Sequence, residues 1–86
     1  MTAVHVRFAR VCDADAAVAE LPAHGLHHEP RLTETDVEVE CRVGEEEKEV
    51  MAEVSHALDD WLEGRHLPFT PEQTDRCTLV VRPPAG

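Results

Sequence analysis

Eighteen acids against eight bases leave a formal charge of −10 on 86 residues, which excludes a protein that wraps duplex nucleic acid through a basic face. Apolar residues at 42% can build the core of one small domain, and no apolar run nears the roughly 20 residues of a spanning helix. With no basic start leading into an apolar stretch, the reading expects no signal peptide, no membrane partner and a cytoplasmic chain.

In chain order, Ala3 to Arg10 alternates: Val4, Val6 and Phe8 fall on one side, His5 and Arg7 on the other, as in a strand with one buried face. Asp13 suits an N-cap, with Asp15 in the first turn. Ala14, Ala17, Val18 and Leu21 form a short helical stripe that Pro22 ends or kinks and Gly25 closes. Leu26 to Leu32 predicts a second strand, placed on a sheet edge by Pro30. Asp36 to Val43 is the clearest strand, with Val37, Val39, Cys41 and Val43 inward. Glu45, Glu46 and Glu47 suit a helix N-terminus, and the helix runs to about Glu63. Its stripe is Val50, Met51, Val54, Leu58, Trp61 and Leu62, with Gly64 as the residue just past the end. Residues 66–76 read as an irregular connection, and Cys77 to Arg82 as the last strand, stopped by Pro83 and Pro84 before a frayed tail.

The pattern β-α-β-β-α-β over one domain, residues 1–86 and ordered over about 2–83, resembles the ferredoxin-like superfold. That resemblance implies an α+β domain: a four-stranded antiparallel sheet of order 4-1-3-2 with two helices on one face. It covers nearly the whole chain through pattern alone, without a family motif. Within this superfold, RNA-recognition domains stack bases on strand aromatics. Here the outward positions carry none, since Phe8, Trp61 and Phe69 are the only aromatics. Heavy-metal-associated domains pair two cysteines in one loop, and acylphosphatase-like enzymes need an asparagine; the chain has neither. Ile and Asn are absent and Lys48 is the lone lysine, as in a GC-rich bacterial genome.

Cys12, Cys41 and Cys77 are too few and too far apart for a disulfide framework and read as small buried hydrophobes. Antiparallel topology would bring Cys77 near Cys12. Three constellations remain. His24, His27, His28 and Glu29 lie close enough in sequence to hold a divalent metal, although a strand sends His27 and His28 to opposite faces. The open sheet face would present His5, Arg7, Glu38, Glu40, Arg42 and Arg82, both signs interleaved, as an interaction face. The acidic helix reads as a solvated face or a dock for a basic partner.

No phosphate loop or nucleophile elbow is present, and Ser55 is the only serine. The expectation is a small acidic interaction module without catalytic activity or cofactor, pairing with a protein partner or a second copy. Two alternatives stand beside it: a divalent-metal protein using the histidine cluster, and a small dimeric α+β-barrel enzyme with His5 or His66 as acid–base.

Overall fold

A computed structural model describes residues 3–34, 36–65 and 69–82. The chain is α+β, as the pattern implied, but its sheet is five-stranded and mixed. The elements are β1 (Ala3–Arg7), α1 (Val11–Glu20), a 3-10 turn (Leu21–His24), β2 (Pro30–Thr33), β3 (Asp36–Glu40), α2 (Glu47–Gly64), β4 (Thr70–Asp75) and β5 (Thr78–Arg82). The strand order is β2-β3-β1-β5-β4.

Alternation decides which side of the sheet is covered. Val4, Val6, Val37, Val39, Leu79 and Val81 point inward and join Ala14, Ala17, Leu21, Val50, Val54, Leu58 and Trp61 in one core. Both helices therefore lie on the same face, and among the described residues no second layer covers the opposite face. The helical stripe predicted for α2 is buried at every position, with Ala57 added.

Pro22 ends α1 as expected by converting the chain to a 3-10 turn, which Gly25 closes at φ = +100°, a conformation that favours glycine. Asp13 is not the N-cap of α1. Arg10 holds that position, and the Arg10 guanidinium bonds the Asp13 carboxylate at 3.1 Å inside the first turn. Gly64 is the last residue of α2 rather than the residue beyond it.

The predicted strands are trimmed by the structure: β1 ends at Arg7 rather than Arg10 and β5 begins at Thr78 rather than Cys77, and the other two change as well. Leu26, His28 and Pro30 do face inward, but only Pro30–Thr33 pairs with β3, at the sheet edge. β3 stops at Glu40, where Arg42–Glu45 form a turn through Gly44 at φ = +88°, and Val43 is left fully exposed.

The second end of the sheet corrects the expected topology. Thr70–Asp75 forms an edge strand that pairs antiparallel with β5, and β5 lies beside β1, as expected for the final strand, but parallel to it. The reversal follows from the additional strand. The chain leaves α2, runs out along β4, and turns back at Asp75–Thr78 before reaching β1. The Asp75 carboxylate accepts the Cys77 amide at 2.9 Å and fixes that turn, while a bulge between Gln73 and Asp75 adjusts the register. The order β2-β3-β1 agrees with the ferredoxin-like expectation; the four-stranded, all-antiparallel arrangement does not hold. The predicted tail beyond Arg82 lies outside the described residues, as does His66.

Candidate functional site

Register places most of the predicted interaction residues on one surface. His5 sits between Glu38 of β3 and Thr78 of β5, and Arg7 between Asp36 and Val80. Arg31 of β2 bonds Glu38 at 2.9 Å directly across the strand pair. Arg7 lies 3.6 Å from Asp36, and Arg82 lies 3.6 Å from Glu72. Glu40 closes the same row of β3. All three arginines keep most of their side-chain surface in water, so each pair contributes at most about 1 kcal/mol.

Arg42 is not on this face. β3 has ended by then, and the Arg42 guanidinium turns to the His27 carbonyl at 2.5 Å. It belongs instead to a polar cluster beneath the start of β2.

The histidine group is divided among three environments. His24, on the 3-10 turn, places Nδ1 2.6 Å from Asp60 Oδ2 and so ties that turn to α2. His27 is exposed, and its amide donates to Glu53 Oε1 at 2.8 Å. Glu29 is exposed. His28 is buried, its ring held between two carboxylates. Nε2 lies 2.8 Å from Glu45 Oε1, and Nδ1 lies 2.5 Å from Glu53 Oε2. The Glu53 approach is close, but Nδ1 makes no hydrogen bond among the described residues. Among the described residues, no group of three or more His, Cys, Asp or Glu side chains is placed to hold a metal ion.

Glu45 is the junction of this cluster. Its Oε1 also accepts the Arg42 amide at 2.6 Å. The hydrogen bond with His28 is the main reason its carboxyl is held below the usual range, and the Arg42 amide acts in the same direction. Sequence reasoning missed Glu45 and Glu53 because a run of acids on a helix reads as a solvated surface, and no local spacing links them to a histidine on another element.

Glu45 also borders a groove of about 610 Å³ between the first turns of α2 and the β4–β5 turn. Met51, Ala52 and Ser55 line its helix side; Gln73 and Arg76 line the other. Among the described residues, neither His5 nor any other histidine lines it.

The cysteines do not form a pair. β5 runs parallel to β1, so Cys77 lies at the start of β1, while exposed Cys12 follows its end, roughly 15 Å away along the strand direction. Burial is the leading cause that raises the thiols of both Cys41 and Cys77, which disfavours their reactive thiolates.

No protein-family model, curated protein or solved structure matches the chain.

Proposed function

We propose that the chain is a small non-catalytic interaction module that pairs with a second copy through the uncovered face of its sheet. The observation that carries this reading is the charge of that face. Arg7, Arg31 and Arg82 meet Asp36, Glu38, Glu40, Glu72 and Asp75, which gives 3 − 5 = −2, against −10 for the whole chain. Two copies repel over most of their surfaces, and this nearly balanced face is where they approach at least cost. Its interleaved signs can be self-complementary across a two-fold axis. The sheet edges are poorer candidates. β2 and β4 carry Pro30 and Pro71, and a proline removes an amide donor from an edge ladder.

Area limits the strength of such a pair. Five strands about 4.8 Å apart and about 17 Å long present roughly 400 Å² per copy. A standard interface uses about 800 Å² per partner. The pairing is therefore weak and concentration-dependent, a property suited to reversible assembly.

Sedimentation velocity, with native mass spectrometry of protein purified without chelator, tests the reading. The expected result is a dimer that grows with concentration, recedes with added salt, and is lost in Arg7→Glu. A monomer at every concentration in low salt overturns it. A mass excess matching a metal or small molecule redirects attention to the histidines or the groove.

A further inference from the structure

We propose that the open sheet face carries half of a divalent-metal site, which a second copy of the chain completes: His5 and Glu38 of each copy hold one zinc-class ion on the two-fold axis. The inference rests on the face-to-face pairing proposed above and names what sits at its centre. β1 is the third of five strands, and His5 is the third of its five residues. When two copies of one face stack, the two-fold axis lies in the plane between them. With full overlap it passes over the middle of each face. The central residue then meets its own copy whichever way the axis runs in that plane, and His5 is that residue.

The groups around His5 suit a metal. The arginines of this face are each matched to a carboxylate: Arg7 to Asp36, Arg31 to Glu38 and Arg82 to Glu72. The His5 ring, by contrast, has no hydrogen-bond or ion-pair partner among the described residues. Glu38 stands directly opposite it on β3, which puts the two Cβ atoms about 5 Å apart. Arg31 takes Glu38 Oε1 at 2.9 Å, an outer contact that orients the carboxylate and leaves Oε2 open. Both side chains are half-buried by their neighbours, so little freedom is left to lose on binding.

One copy supplies two ligands, in keeping with the lack of any three-ligand group among the described residues. Two copies supply two imidazole nitrogens and two carboxylate oxygens, a tetrahedral donor set for zinc. Height agrees with this. Stacked sheets lie about 10 Å apart, so the axis runs about 5 Å above each backbone, within reach of a histidine and a glutamate side chain. Charge agrees as well. Three arginines against five acids leave each face an excess of two negative charges, and one divalent cation halves the excess of the pair. The ion thus strengthens a pairing that area alone leaves weak.

Sedimentation velocity of the chelator-treated chain in low salt, with and without one zinc ion per two chains, tests this. Zinc should tighten the dimer about tenfold or more, and native mass spectra should show a dimer that carries a single zinc. Cobalt(II) in its place should give the strong visible absorption of a tetrahedral site. His5→Gln should dimerise as the metal-free wild type does and respond to neither ion. Glu38→Gln keeps an acceptor for Arg31 and should need about tenfold more zinc for the same dimer fraction. A wild-type dimer indifferent to zinc overturns the inference and leaves the pairing itself standing. Zinc held equally by the monomer, or retained by His5→Gln, also overturns it, because the ion then sits elsewhere. A monomer at every concentration, with zinc or without, overturns both the inference and the pairing. If His5→Gln fails to fold, Glu38→Gln and the wild-type zinc stoichiometry decide.

Discussion

The rings of Phe8 and Trp61 meet edge to face, with centroids 6.3 Å apart and planes at 81°. They join the residue after β1 to the last turns of α2 at the centre of the core. Arg65 lies over the outer part of the same indole, 5.4 Å from its ring centroid, and pairs with Glu20 of α1 at 2.9 Å. One aromatic contact thus gathers the sheet and both helices.

Trp61→Ala should cost about 3–5 kcal/mol, enough to unfold a domain of this size. Trp61→Phe should cost much less, because Trp61 Nε1 has no hydrogen-bond partner among the described residues and its loss strands no acceptor. Thermal melts of the two variants separate packing from polarity. Equal destabilisation would mean that the indole nitrogen matters more than the ring volume.

Gly25→Ala and Gly44→Ala should each destabilise the fold by about 1–2 kcal/mol through the backbone alone. Both residues hold positive φ, and a Cβ at either would meet no atom within 4 Å. Urea unfolding should show a lower midpoint with an unchanged slope. A neutral effect would indicate that the turn relaxes to another conformation.

Acid should weaken the contacts that Glu45 makes with His28 and the Arg42 amide. The Glu45 carboxyl is held below its ordinary range, so the stability it adds is complete above that range and disappears as the pH falls through the lowered value. Glu45→Gln should therefore lose stability at neutral pH and melt with a shallower acid dependence than wild type. Parallel acid profiles for the two proteins would contradict this sign.

Asp75→Ala should loosen the β4–β5 turn, since its carboxylate fixes the Cys77 amide and is lowered chiefly by that bond. Asp75→Asn keeps an acceptor oxygen and should retain most of the protection. Amide exchange at Cys77 and along β4 reads the difference. Equal protection in both variants would place the turn's stability in the strand ladder instead.

The core of the fold was legible in the sequence because hydrophobic alternation is a local signal. Val4 and Val6, Val37 and Val39, and Leu79 and Val81 announce three half-buried strands, and the α2 stripe announces its partner layer. β4 was not legible. Thr70–Asp75 has one apolar side chain, Pro71, and an edge strand exposed along most of its length needs no alternation. Missing it also reversed the direction assigned to β5, although its place beside β1 was correct. On the open face, pairing was readable wherever strand parity persisted, and it failed at Arg42 because β3 ends two residues earlier. The two carboxylates around His28 come from a turn and a helix that only tertiary packing brings to it. No window of sequence contains that relationship.

The parallel contact between β1 and β5 sets the order in which this molecule can assemble. The hairpin β2–β3 and the hairpin β4–β5 each close over short loops and can form early. The middle of the sheet joins an N-terminal strand to one that follows every other element, so its closure entropy falls due late in folding. During synthesis β1 has β3 for a neighbour but a bare second side, and Leu79 and Val81 are missing from the core until β5 leaves the ribosome. Cooperative folding of this chain therefore waits for β5, and a nascent chain halted before β5 exposes the inner faces of Val4 and Val6 to whatever chaperone is at hand.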